Sequence, residues 1–440
     1  MTSLDAHARE IFFSGLQAVD ARSATRRAVS LNNSLLRVAD TAIDITGRPV
    51  YLVAIGKAAG AMAAGLAAVL GDRISKGIVC GPAYGELNPD WAIFTGGHPF
   101  PTADSIAAAR ATLQLLANAE KNALIVFLIS GGGSAMFELP VDESISHDDL
   151  REANCQLVSC GASIAEINAV RRAFSAVKGG KLASSAPDTD QLTLIVSDTN
   201  PGDLTSVASG PTIAPNASLA DAGEVLQRYG LSESLPNSIL KALAQPQIEE
   251  VASATGLRAH YVLLDNHTAL ESAAAEARSR GFIVELAPDI NEHEISAGCD
   301  LLIARAHALW NQHSGKPVCL VSGGEFSCPV RGDGIGGRNL ETALRCALKL
   351  AELARALPSQ QWAVLSGGTD GVDGNSEAAG AVADETTIAR AKRSGLEPSD
   401  FLERSDAFRF FEPLGDLIVT GPTRTNVRDL RIVLVGSKGS

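Results

Sequence analysis

The sequence predicts an α/β protein whose buried, parallel strands end in short glycine-rich turns, and three observations carry that reading. The apolar run at 124–129 shows no polar alternation and stops at Ser130-Gly131-Gly132-Gly133-Ser134. A run of that kind fits a strand covered on both faces, and the glycines leave backbone N–H groups uncovered, able to wrap a phosphate or a carboxylate. The pattern recurs in Val321-Ser322-Gly323-Gly324-Glu325 and Leu365-Ser366-Gly367-Gly368-Thr369-Asp370, and more loosely in Thr95-Gly96-Gly97-His98. Two further apolar runs end in Gly56-Lys57 and Ser197-Asp198. In an open parallel sheet the carboxyl ends of the strands face one way, so Lys57, Asp198, Glu325 and Asp370 are expected to line one crevice.

Taken in order, the apolar residues Ile11, Phe12, Leu16 and Val19, then Leu31, Leu35, Leu36 and Val38, stand at helical spacing and predict helix over 5–45. A strand follows at 50–55, and Gly56-Lys57 opens an alanine-rich helix to about residue 70, whose first-turn N–H groups lie beside the Lys57 ammonium. Strands at 77–80 and 92–95 come next, and Pro99 and Pro101 stiffen the loop that carries His98. Thr102-Ala103-Asp104 caps a helix to about 120 that delivers the chain to the 124–129 strand. Helices are expected at 148–160 and 164–182, the second carrying Arg171, Lys178 and Lys181 on roughly one face. The strand at 192–196 is followed by loops at 197–203 and 208–212, long enough together to suggest a functional role. Residues 215–258 read as helices with polar breaks, and a strand at 260–264 restarts the alternation. The remainder predicts helices at 267–280 and 293–312, a strand at 318–322, a short edge strand at 328–331, a long helix to about 357, and strands at 362–366 and 430–435.

A chain of 440 residues suggests two domains or three, and the boundary is placed near 250, giving 1–252 and 253–440. The 45% hydrophobic and 20% charged content is that of a soluble globular protein. A net charge of −13 argues against nucleic acid or an anionic membrane as the main partner. Seven scattered cysteines without a Cys-x-x-Cys pair suit a reducing cytoplasm, with neither a disulfide framework nor a zinc site. No segment approaches the roughly 18 apolar residues of a membrane span, and Asp5, Arg9 and Glu10 interrupt any signal-like apolar centre.

Gly332, Gly334 and Gly337 satisfy G-x-G-x-x-G just before a helix, which brings a nicotinamide-dependent oxidoreductase into consideration. The acidic residue that reading wants about twenty residues on is missing, because the next strand ends past Ser366. Arg338 directly after the glycines suits a phosphate better than a ribose diol. There is no P-loop, and Ser134 lacks the Gly-x-Ser-x-Gly setting of a hydrolase nucleophile.

Together, Ser130-Gly-Gly-Gly-Ser-Ala135, Asn168-Ala-Val-Arg171 with Lys178-Gly-Gly-Lys181, Ser209-Gly-Pro-Thr212, Ser322-Gly-Gly-Glu325, Gly336-Gly-Arg338-Asn339, Gly368-Thr-Asp370-Gly-Val-Asp373 and Thr420-Gly-Pro-Thr-Arg-Thr-Asn426 resemble the glycerate 2-kinases with a MOFRL-type C-terminal domain, over nearly the whole chain and in the same order. The resemblance implies a Rossmann-like N-terminal α/β domain with a parallel sheet and a smaller α/β C-terminal domain, with the active site in the cleft between them. It implies transfer of the ATP γ-phosphate to the 2-hydroxyl of D-glycerate with Mg²⁺, and many members carry an older hydroxypyruvate reductase label from tartrate utilisation. Phosphoryl transfer needs charge neutralisation and in-line placement. On that basis Lys57 and Arg338 are expected to hold the transferring phosphate, and Asp198, Asp370 and Glu325 to bind Mg²⁺ or accept the hydroxyl proton. The turn at Ser130, Gly131, Gly132, Gly133 and Ser134 would take phosphate or the substrate carboxylate, with His98, Arg171, Lys178 and Asn339 completing the binding set. Departures at Thr102, Asn200 and the residues after Thr212 leave a related sugar acid, such as a four-carbon one, open. An NAD(P)H-dependent hydroxypyruvate reductase and a non-catalytic sugar-acid binding protein are the alternatives; a homodimer is allowed.

Overall fold

The computed structural model describes residues 3–85, 87–215, 221–245, 255–313 and 315–438. Its contacts divide the chain into one unit spanning Ala21–Leu264 and another made of Met1–Asp20 with Asp265–Ser440. The boundary expected at 252/253 lies outside the described residues.

In the Ala21–Leu264 unit, three short antiparallel strands, β1 (Val29–Asn32), β2 (Leu35–Val38) and β3 (Thr41–Asp44), replace the helix expected beyond residue 28. Turns at Asn33 and Ala39 have positive φ, and Val29, Leu36, Val38 and Ile43 are buried as strand residues; the helical spacing of the leucines is a coincidence of these turns. The main sheet has six parallel strands, β4 (Val50–Ile55), β5 (Ile74–Cys80), β6 (Ala92–Phe94), β7 (Leu124–Ser130), β8 (Asp190–Val196) and β9 (Arg258–Leu264), in the order β6-β5-β4-β7-β8-β9. This is the doubly wound arrangement whose direction reverses between β4 and β7. Every residue of β4 and β7 is buried. Tyr51, Val53, Ile55, Ile125, Phe127 and Ile129 share a core with the Ala103–Ala117 helix, while the Ala59–Leu70 helix packs on β4, β5 and β7.

The expected helix at 164–182 is a correction: it ends at Phe174, and Gly179 and Gly180, with φ of +64° and +82°, turn the chain into the short Lys181–Ser184 helix. Lys178 and Lys181 therefore do not share its face with Arg171. Lys181 Nζ instead donates to the carbonyls of Arg172 and Ser175 at 2.8 and 2.7 Å, closing the helix's carboxyl end.

The second unit is a mixed sheet of β10 (Ile283–Leu286), β11 (Val318–Gly324), β12 (Gln360–Gly368), β13 (Gly380–Asp384), β14 (Leu417–Ile418) and β15 (Asp429–Ser437), ordered β10-β11-β15-β12-β13-β14. β10, β13 and β14 were not expected, being short, and the Cys328–Arg331 stretch expected as an edge strand is irregular. The final strand enters between β11 and β12 and runs antiparallel to both. The Leu4–Ala18 helix belongs here because Ala8, Ile11 and Phe12 enter a core with Leu270, Leu365 and Leu430; burying Ile11 and Phe12 contributes roughly 1.5–3 kcal/mol each. The Ile295–Gln312 and Arg338–Ala356 helices pack into the core formed with Val318, Trp362 and Val433. The strand ends expected along one crevice thus belong to two sheets, Lys57 and Asp198 to one, Glu325 and Asp370 to the other. No described helix is long and apolar enough to cross a membrane.

Candidate active site

At the switch point of the parallel sheet the ends of β4 and β7 are laced together. Ser130 is fully buried; its hydroxyl donates to the Ile55 carbonyl at 3.1 Å and accepts from Ala58 N–H at 3.0 Å. Lys57 N–H donates to the Gly131 carbonyl at 2.9 Å. Gly56, at φ +107°, has no room for a side chain, since a Cβ would stand 2.3 Å from the Ser130 carbonyl oxygen. Serine 130 is therefore the tie that fixes the turn. A Cβ on Gly132, at φ +79°, would stand 3.0 Å from Lys57 Cγ and 3.3 Å from His98 Cδ2, so both side chains lie over this glycine. His98 is aimed by a loop pinned to the start of the next helix: Asp104 accepts from Thr95 and Gly96 N–H, and Ser105 Oγ from Gly97 N–H. The short Gly133–Met136 helix begins here, with the N–H groups of Ala135 and Met136 donating to the Gly132 carbonyl, both at 3.2 Å. Val196 registers opposite Ser130, so Asp198 emerges two residues beyond, at the same edge of the sheet. Lys57, His98, Asp198 and residues 130–134 are thus gathered at the carboxyl edge, where a doubly wound fold binds ligands.

Lys178 and Arg171 sit deeper. Lys178 is 1% exposed and its ammonium is held by Glu138, itself 2% exposed; burial pulls the ammonium's pKa down against that carboxylate. Arg171 Nε donates to Asn154 Oδ1 at 2.8 Å, and burial lowers its pKa too.

In the other unit, β11 and β12 end where antiparallel β15 begins, which brings Glu325, Asp370 and Asp429 to one edge. Arg338 clasps Asp429 with Nε and a terminal nitrogen at 2.7 and 3.0 Å and reaches Glu325 at 2.8 Å. These two carboxylates raise the guanidinium's pKa although burial opposes them. Enclosure raises the pKa of Glu325 while Arg338 draws it back. Asn339 donates to Asp429 at 2.9 Å and accepts from Ser366 Oγ at 2.6 Å. The buried Asp373 accepts from the N–H groups of Asn339 and Leu340 at 3.1 and 2.8 Å, so a carboxylate already occupies the start of the Arg338–Ala356 helix. A dinucleotide pyrophosphate would need that position. A cavity of about 480 Å³ lined by Phe326, Val330, Gly334, Arg338 and Asp373 opens beside it.

Glu325, Asp370 and Asp429 share this edge with Arg338, and Arg431 also faces Asp429 at 4.0 Å; carboxylate oxygens of this kind suit a hard divalent cation. Among the described residues no three His, Cys, Asp or Glu side chains form a metal cage; Mg²⁺ bound through one or two carboxylates and phosphate oxygens does not require one.

Sequence reading missed Asp429, because an antiparallel strand presents its beginning where parallel strands present their ends. It also passed over Glu138, Asn168 and Ser209 as site supports; only the Asn168 and Ser209 motifs pointed to the last two.

Family profiles match the chain at residues 7–244 (Domain of unknown function, DUF4147) and 318–429 (MOFRL family). A D-glycerate 2-kinase of Thermotoga maritima is 35% identical over 88% of this chain and 90% of its own. A protein of Agrobacterium vitis provisionally named hydroxypyruvate reductase is 37% identical over 88% and 87%. The crystal structure of a Thermotoga maritima glycerate kinase superposes with a TM-score of 0.79 at 32% identity, covering 98% of this chain and 99% of that one.

Proposed function

The chain belongs to the glycerate 2-kinase family with a MOFRL-type C-terminal region, and from that premise we propose that it transfers the γ-phosphoryl group of ATP to the 2-hydroxyl of D-glycerate or a close sugar acid. The single observation that carries the reading is Lys57 lying over Gly132 at the switch point of the parallel sheet.

In the reaction the substrate's 2-oxygen bonds to the γ-phosphorus, the bond from that phosphorus to the ADP oxygen breaks, and the hydroxyl proton leaves to a base. Lys57 neutralises charge on the transferring oxygens, and backbone N–H groups of the 130–134 turn hold an anionic group of phosphate or substrate. Asp198 is the candidate proton acceptor. Within its own unit Arg338, held rigid by Asp429 and Glu325, offers a cation to a phosphate group. Glu325 and Asp370 offer the hard oxygens for Mg²⁺, which when bound would neutralise phosphate charge.

The test is product analysis of purified protein with ATP, Mg²⁺ and a panel of sugar acids. The competing reading, reduction of hydroxypyruvate, predicts NAD(P)H oxidation without ATP. The Asp373 carboxylate at the helix start weighs against it.

A further inference from the structure

Behind the glycine turn runs a chain of three polar side chains that passes from the half-buried Ser134 into the core. Ser134 Oγ lies 2.6 Å from Ser209 Oγ, and Ser209 Oγ donates to Asn168 Oδ1 at 3.0 Å. Ser209 is fully buried and Asn168 is 2% exposed. A serine hydroxyl has one proton and two lone pairs. The proton of Ser209 is committed to Asn168, so in the contact with Ser134 it is Ser209 that accepts and Ser134 that donates. Ser134 then has only lone pairs left to present to the site.

The fold holds this arrangement at a cost. Ala208, Ser209 and Gly210 have φ of +51°, +60° and +65°, a left-handed run that alanine and serine resist. Gly179 and Gly180 N–H groups donate to the Ser209 and Gly210 carbonyls at 3.1 and 2.7 Å, and Gly133 is pressed on Ala208, where a Cβ would come within 2.6 Å. Backbone strain kept in place from two sides marks positions held for function.

An acceptor-only hydroxyl repels a phosphate or carboxylate oxygen and invites a donor. The chain ends on an amide oxygen, which takes up no proton near neutral pH, so it fixes a hydroxyl without deprotonating it. We infer that Ser134 is a specificity residue that accepts a hydrogen bond from a non-reacting hydroxyl of the acid, the 3-hydroxyl in D-glycerate, and that Ser209 and Asn168 are the positioning residues that set its polarity. The inference deepens the kinase reading and rests on it for the identity of the acid; it revises the expectation that Ser134 holds an anion.

The experiment is calorimetric binding of D-glycerate and of D-lactate, which lacks only the 3-hydroxyl, to the full chain, alongside kinase turnover of both. The native protein should bind D-glycerate on the order of tenfold more tightly or better, since the missing hydroxyl leaves an acceptor unpaired. Ser134→Ala should abolish the preference. Ser209→Ala, which frees the Ser134 proton without altering Ser134 itself, should reduce it while the melting temperature confirms folding. Retained preference in both folded variants would overturn the proposal, as would a native protein that does not distinguish the two acids. Selective binding lost in Ser134→Ala without ATP turnover by the native protein would uphold the proposal and overturn the kinase reading instead.

Discussion

Lys57 is the residue on which the proposed chemistry rests most heavily. Its ammonium stem lies over Gly132, and removing a cation that meets developing phosphoryl charge lowers kcat by about 10²-fold or more. Lys57→Ala should show that loss at saturating substrates with unchanged melting; a change of twofold or less would remove it from the reaction. Asp373 carries a different prediction. Burial lifts its carboxyl from 3.8 to about 7, against two backbone N–H groups that favour the charge. The folded state thus binds this proton more tightly than the unfolded one, so the stabilisation is full below about pH 4 and is lost as pH rises to about 7. Relative to Asp373→Asn, native stability should fall by about 1.4 kcal/mol per pH unit across that window, measured by denaturant titration. Parallel profiles would show that Asp373 is ionised throughout. Lys57 was legible because it follows a parallel strand directly, whereas the proton affinity of Asp373 depends on burial that only the folded chain creates.

The segment from Phe174 to Gly180 shows how an element departs from its periodicity. Basic residues at 171, 178 and 181 have helical spacing, yet two left-handed glycines break the helix and send the Lys178 ammonium inward to Glu138. Removing one member of such a buried pair leaves the other uncompensated and costs about 3–5 kcal/mol, while replacing both by apolar groups is close to neutral. Lys178→Met should therefore destabilise strongly in chemical denaturation, and Lys178→Met with Glu138→Leu should recover most of the loss. Equal loss in both would mean that Glu138 acts through Ser175, whose hydroxyl it accepts at 2.5 Å, more than through the lysine. Strands β4 and β7 were legible almost to the residue because burial on both faces writes itself as an unbroken apolar run. The three short strands at 29–44 were not, since four-residue strands joined by tight turns imitate helical spacing.

Across the whole molecule, the parallel sheet, the glycine turns and a two-domain division are visible in the sequence, but the strand order of the second sheet is not. β15 closes the chain by inserting between β11 and β12, and that long-range pairing leaves no local signal. It brings Asp429 to Arg338 and makes the Arg338 cluster a carboxylate-rich one. If the Arg338 guanidinium meets phosphoryl charge in the reaction, Arg338→Ala should lower kcat by about 10²-fold or more at saturating substrates; a change of twofold or less would leave the residue a purely structural clasp on Asp429. The most direct test of the central claim is phosphorus NMR of the product formed by purified protein from ATP, Mg²⁺ and D-glycerate. The account predicts ADP and 2-phosphoglycerate in equal amounts, and 3-phosphoglycerate as the sole product, or no phosphorylated acid at all, would contradict it.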